Sequence, residues 1–226
     1  MNVQETKNIL PRKKKKSKKP LIIAVALVTV AAIVAVFAFS LGSQSFTVDP
    51  NREPSRGLSF DKTSVVSKTY TLVGIGLCKD KDIVVQASKD GMPVTAIGDM
   101  AFRSNKNIRS VVLPESLKTV GSSAFAYCEK LEAVVFKGNV TKIGNSAFRY
   151  CKGLEEITLP GSVNIIAESA FSHCENLTKI HFGGTMAEWD KIYFGKYWNV
   201  YMPEYTVYCT DGEIFVDLYS KYREVQ

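Results

Sequence analysis

The pair Ala-Phe recurs at Ala101-Phe102, Ala124-Phe125, Ala147-Phe148 and Ala170-Phe171, each copy 23 residues after the one before. Other apolar positions keep the same interval. Ile97, Val120, Ile143 and Ile166 form one column, and Ile108, Leu131, Leu154 and Leu177 a second. Val111, Val134, Ile157 and Ile180 make a third, and Leu113, Phe136, Leu159 and Phe182 a fourth. Four copies without an insertion or deletion leave few folds open. A unit this short cannot bury its own apolar face, so the copies must stack and share one continuous core.

Each unit also carries an L-x-x-V-x-F pattern, which at a period of roughly 20–29 residues marks a leucine-rich-repeat solenoid. In "LEEITLP" the residues Leu154, Ile157 and Leu159 point inward, the last two alternating across Thr158 as in a strand. Pro160 suits a strand end, where a missing N–H costs little. "VTKIG" gives a second, shorter extended stretch ending in glycine. "NSAFRYC" between them reads as a helical turn or compact bend with Ala147 and Phe148 inside. The expected fold is a β-rich solenoid of four repeats over residues 94–184.

The flanks read as appendages. Of the 29 Lys/Arg and 22 Asp/Glu in the chain, residues 1–20 hold eight basic and one acidic, so the remainder carries 21 of each and is neutral. A nucleic-acid binder would carry its basic stripe on the folded domain, and none is visible there. The basic block abuts "LIIAVALVTVAAIVAVFAFSL", residues 21–41, whose only polar members are Thr29 and Ser40. At about 1.5 Å per residue this run is long enough for one transmembrane helix. The positive residues predict a cytoplasmic tail over 1–20 and an extracellular C-terminal part. Cleavage as a signal peptide near Ser40 is the competing reading, although the apolar run exceeds the usual signal h-region. Residues 42–67, polar and with two prolines, read as a flexible stalk.

Residues 68–93 are expected to cap the first repeat with "TYTLVGIG" and "DIVVQA". Residues 185–226 are expected to cap the last. There "GTMAEWDKI" predicts a short helix with Thr185 and Glu188 at capping-box spacing, and Trp189 and Ile192 facing the last repeat. "YTVYC", "TDG" and "EIFVDL" predict a hairpin closed by an Asp-Gly turn.

The pattern "VTxIGxxAFxxCxxLxxVxLP" over 94–184 resembles the BspA-type leucine-rich repeat family of bacterial surface proteins and some protists. The flanks "GIGLCKDKDIVV", "GMPVTAIG", "GTMAEWDKI" and "VYCTDG" are similar to that family as well. The resemblance implies a surface-attached or secreted protein serving adhesion or protein recognition. Two positions depart from the pattern. Asn105 stands where later units have Cys128, Cys151 and Cys174, and Ala167 replaces the glycine of Gly98, Gly121 and Gly144.

Candidate chemistry is sparse. Cys128, Cys151 and Cys174 lack the close C-x₂₋₄-C spacing of a zinc site and read as small buried hydrophobes, an inter-coil disulfide being the alternative. Cys78 and Cys209 fall in opposite caps, too far apart to bridge each other. His173 takes the place of Tyr127 and Tyr150, a partly exposed aromatic slot, and His181 lies on the outward side of a strand. Glu132 and Glu155 are in register and at about 5 Å would have a retaining glycosidase's spacing, but a thin solenoid lacks the deep pocket for it. No serine elbow, P-loop or H-E-x-x-H occurs. The chain is therefore expected to be no enzyme, with no cofactor and no catalytic or metal-binding residues.

The outward strand positions are the better candidates. Ser110, Ala133, Glu156 and Lys179 form one column, and Val112, Val135, Thr158 and His181 its neighbour. Unlike the core columns they differ from unit to unit, as a recognition face would. Three readings follow. The first is a membrane-anchored extracellular module that binds a protein or glycan through this face, with the bilayer as its second partner through 21–41. The second is an envelope spacer without a specific ligand, and the third a surface enzyme.

Overall fold

The computed structural model describes residues 49, 51–64 and 68–217. The predicted cytoplasmic tail and membrane span lie outside the described residues. Among the described residues no helix is long and apolar enough to cross a membrane.

The chain winds as a series of short strands that stack in parallel on two sides of the solenoid. One side holds a ladder of β2 (Thr69–Gly74), β5 (Met92–Ile97), β7 (Thr119–Val120), β9 (Lys142–Ile143), β11 (Ile165–Ile166) and β13 (Tyr193–Phe194). The other side holds two separate parallel ladders, β3 (Asp82–Val84), β6 (Ser110–Leu113) and β8 (Ala133–Phe136), then β10 (Glu156–Leu159), β12 (Lys179–Phe182) and β14 (Tyr205–Cys209), with β8 and β10 adjacent but not paired as strands. One strand from each side makes a coil, so there are six coils rather than the four expected. The register shows why two were missed. Ile83 pairs with Val111, which lies 28 residues later, and Ile180 pairs with Val207, 27 residues later. Between the regular coils the spacing is 23, as for Val111 and Val134 or Ile157 and Ile180. The first interval accommodates β4 (Ser88–Lys89), antiparallel to β5. The last accommodates the helix α1 (Met186–Trp189). Both segments read as caps are thus rungs of the same ladders with an insertion each.

Inward residues form one column-built core. Phe102, Phe125, Phe148 and Phe171 are essentially inaccessible, and their rings stack at 5.0, 5.2 and 5.2 Å. Offset stacks at this distance add to the burial of the rings themselves. Trp198 ends the column edge-on to Phe171 at 6.3 Å. Trp189 and Ile192 are buried as expected, and α1 has its capping box: Thr185 Oγ1 accepts from the Glu188 N–H (3.2 Å) while Glu188 Oε2 accepts from the Thr185 N–H (2.7 Å). Asp211 Oδ1 accepts from the Met186 N–H as well, tying α1 to the hairpin. That hairpin joins β14 to β15 (Gly212–Val216), with Thr210 and Asp211 as its turn and Gly212 already in the strand.

The segment expected to be a flexible stalk is, from Asn51 to Ser64, part of the folded domain. β1 (Ser59–Ser64) pairs antiparallel with β2 and closes that ladder's first edge. Ser55 closes the other: its N–H donates to Val84 O (2.8 Å) and its Oγ accepts from the Val84 N–H (3.1 Å). Arg52 Nη1 donates to Asp82 O at 3.1 Å. The physical reason is that an open strand edge carries unpaired N–H and C=O groups, and a polar extended segment satisfies them.

Candidate functional site

Between the short and long strands, each regular coil runs through three overlapping turns whose alternate N–H groups donate to the next coil. Ser123, Phe125 and Tyr127 donate to Asn145, Ala147 and Arg149 carbonyls at 2.8, 2.8 and 2.7 Å. This geometry places Ser123 (φ 54°) and Tyr127 (φ 62°) in the left-handed region, as it does Ser146 and Tyr150 (φ 53° and 61°). Non-glycine residues there are strained, and the inter-coil hydrogen bonds hold them. The turn delivers each cysteine to the interior two ways: its N–H closes a turn and its thiol reaches the preceding coil. Cys128, Cys151 and Cys174 Sγ donate to the carbonyls of Phe102, Phe125 and Phe148 at 3.0, 3.2 and 3.1 Å. All three are wholly buried, and all five cysteines of the chain are free thiols. Burial pushes the Cys128 and Cys174 thiols up to about 12 and that of Cys151 up as well. They are packing groups with a satisfied donor, not nucleophiles.

The two departures from the repeat pattern keep the backbone bonds. Asn105 N–H donates to Phe102 O (3.1 Å) as the cysteines do in their coils, and its Oδ1 accepts from the Asn107 and Ile108 N–H groups. Ala167 N–H donates to Ile143 O at 3.0 Å, as Gly144 does to Val120 O.

A thiol-modifying reagent therefore separates two classes. In the folded chain Cys78 and Cys209 are expected to react, with Cys209 slowed because burial and the nearby Asp211 and Asp190 charges push it up to about 11. Cys128, Cys151 and Cys174 should label only in denaturant. Mass spectrometry of the labelled peptides checks this, and labelling of Cys151 in the folded chain would show that the coils open.

Of the expected recognition face, the structure assembles one half and withdraws the other. Ser110 and Val112 are both only 1% exposed. Ser110 Oγ donates to Asp82 Oδ1 at 2.8 Å, and Val112 sits in register between Val84 and Val135. Alternation along the strand predicts both to be outward and open; the pairing of β3 with β6 brings Asp82 and Val84 against them. Ala133 and Val135 are half-buried. Toward the other end the face opens. Glu156 Oε2 lies 3.9 Å from Lys179 Nζ and 3.6 Å from His181 Nε2. The close approach of the His181 ring, with Lys179 beside it, holds the Glu156 carboxyl below its ordinary value. Thr158 is in register beside His181.

Tyr208 completes this cluster and was missed. Its ring stacks on His181 at 5.1 Å, in register on the next rung. The signal that would have found it is "YTVYC" read as a sixth strand after a longer interval. Glu132 and Glu155 are exposed on successive coils. Among the described residues no group of three or more His, Cys, Asp or Glu is placed to hold a metal ion.

A family description covers this geometry. The BspA type leucine rich repeat region matches residues 85–200 as six copies, the same number as the coils. The chain belongs to the BspA-type leucine-rich repeat family. Solved structures similar to this BspA-type chain include the T. pallidum leucine rich repeat protein, 18% identical with a TM-score of 0.47, covering 65% of this chain and 82% of that one. A leucine rich cell surface protein from Faecalibacterium prausnitzii A2-165 is 25% identical with a TM-score of 0.49, covering 67% of this chain and 42% of that one. The pneumococcal vaccine antigen PcpA is 22% identical with a TM-score of 0.48, covering 58% and 38%. No match was found among curated proteins.

Proposed function

We propose that this BspA-type chain is a surface recognition module, anchored in the cell membrane by residues 21–41 with its solenoid outside, and that it binds a protein or glycan partner through the open half of the long-strand ladder. The observation that carries the reading is the row Glu156, Lys179, His181 and Tyr208 with Thr158 beside it. These side chains differ from coil to coil while the columns beneath them do not. A parallel ladder brings them within ion-pair and stacking distance, which gives a rigid polar surface with one aromatic ring. Tyrosine and histidine at such a position add contact area at small entropic cost. Ser110 and Val112 are not part of the face, because the first coil covers them. The basic tail before residue 21 supports the orientation.

The test uses the full-length chain. Membrane fractionation should place it in the pellet, and protease added to intact cells should remove the solenoid. Recovery in the soluble fraction would sink the anchor. With the chain as bait on whole-cell or host extracts, the triple substitution Val135→Ala, Thr158→Ala, His181→Ala should weaken capture at least tenfold, about 1.4 kcal/mol. Capture that survives the change would show that this face is not the recognition surface. No specific capture by the unaltered chain would favour the spacer reading.

A further inference from the structure

The side of the solenoid built from the left-handed turns carries a second pattern, independent of the strand face. Tyr127, Tyr150, His173 and Tyr201 occupy one column, and their rings stack at 4.8, 4.1 and 4.3 Å. All four sit in the left-handed region (φ 62°, 61°, 60° and 62°), so the backbone holds the ridge in a fixed orientation. Tyr201 ends the ridge and is 64% exposed. Two guanidiniums flank it. Arg103 lies over the Tyr127 ring at 5.5 Å and Arg149 over the Tyr150 ring at 5.2 Å. Small residues, Ala126 and Ser172, occupy the same column on the alternate coils, which leaves room for the two arginines.

Neither arginine forms an ion pair among the described residues, whereas the neighbouring Lys106 and Lys152 are paired with Glu129 (3.7 Å) and Glu175 (3.0 Å). Arg149 Nε is moreover buried with no hydrogen-bond acceptor. That nitrogen is closed to solvent, so a ligand carboxylate would be met by paired hydrogen bonds from the terminal nitrogens of the two unpaired guanidiniums. Three acids of these coils have other partners: Glu129 and Glu175 pair with the lysines, and Asp99 Oδ1 accepts from the Ser122 N–H at 2.6 Å.

The geometry points to a binding surface for a linear anionic polysaccharide lying along the solenoid axis, with its carboxylates on Arg103 and Arg149 and its sugar C–H faces against the Tyr127 to Tyr201 ridge. The two arginines are two coils apart, a separation of about 10 Å at the strand spacing of a parallel ladder. That interval is comparable to the rise of one disaccharide in an extended uronate chain. A stiff glycan also loses less conformational freedom on docking than a flexible acidic peptide. Tyrosine edges and a free terminal ring favour apolar C–H contact beside the charges.

Hyaluronan oligosaccharides, with one carboxylate per disaccharide, are the probe, measured by calorimetry against the full-length chain. Binding should tighten with length until the ridge is spanned and weaken steeply with added salt. Arg103→Gln with Arg149→Gln should lose at least tenfold, and Tyr201→Ala alone a few-fold. Thr158→Ala with His181→Ala should leave this binding unchanged, which separates it from the strand face. Circular dichroism confirms that each variant is folded, and should the double arginine variant unfold, Tyr201→Ala and the salt series decide. Absence of binding by the unaltered chain overturns the proposal. So does equal binding of neutral cello-oligosaccharides, and equal binding of poly-glutamate would make the partner an acidic protein instead.

Discussion

Phe148→Ala is expected to destabilise the chain by about 3–5 kcal/mol and to lower unfolding cooperativity, as read by denaturant titration followed by circular dichroism. Phe148 is wholly buried and is the one ring stacked on both sides by rings that are themselves in the middle of the column, Phe125 and Phe171 at 5.2 Å each. Truncation removes both stacks and leaves a cavity that neighbouring coils cannot close. The coils are joined by hydrogen bonds at every turn, so moving one inward would break bonds such as Phe148 N–H to Ala170 O (2.8 Å). In a quasi-one-dimensional array, stability is a sum of coil and interface terms. Phe148 belongs to the fourth coil and stacks on both its neighbours, so the truncation weakens the interfaces on either side of that coil and separates the three coils before it from the two after it. A second, earlier transition in the variant is the expected signature. A loss below about 1 kcal/mol, with the transition still single, would contradict this account.

Trp198→Ala should cost a similar amount, again about 3–5 kcal/mol, but with a different distribution. Trp198 is 6% exposed and makes the aromatic lid of the sixth coil. Its ring stacks on Phe194 at 4.7 Å and meets Phe171, Tyr205 and Trp189 edge-on at 6.3, 6.1 and 6.4 Å. Among the described residues, nothing beyond this coil continues the phenylalanine column. Losing the lid opens the end of the core, and the last coil should fray before the rest unfolds. Hydrogen exchange distinguishes the two variants. In Trp198→Ala the amides of β14 and β15 should lose protection while those of β6 and β8 keep it. In Phe148→Ala the loss should centre on β9 and β10. Uniform loss in both variants would mean that the array unfolds as a single unit.

The cysteines show how much a column can reveal without coordinates. Read alone, Cys151 invites a chemical role. Read with Cys128 and Cys174, the recurrence at 23 residues places all three on the inside of adjacent coils, where the structure has them wholly buried. The capping box at Thr185 and Glu188 was equally legible, because its chemistry is local to four residues. The outward strand positions were legible only in part. Alternation along one strand separates more open from buried positions in β10 and β12, where Thr158 and His181 are less buried than Ile157 and Ile180. It did not reveal that Ser110 and Val112 lie under a further rung, since that depends on residues 28 positions earlier.

What the sequence determined by itself was the stacked fold, its inward columns and its family, because a strict period translates directly into equivalent positions on successive coils. What only the tertiary structure decided was where the stacking stops and what lies against its sides. Six coils appear instead of four because β4 and α1 interrupt the period without interrupting the ladder: hydrogen bonds between strands require register in space, not equal spacing in the chain. The fold of residues 51–64 over the first edge, the stacked ridge from Tyr127 to Tyr201 and the meeting of His181 with Tyr208 have the same origin. Each is a contact between coils, and a contact between coils has no signature until the coils are placed.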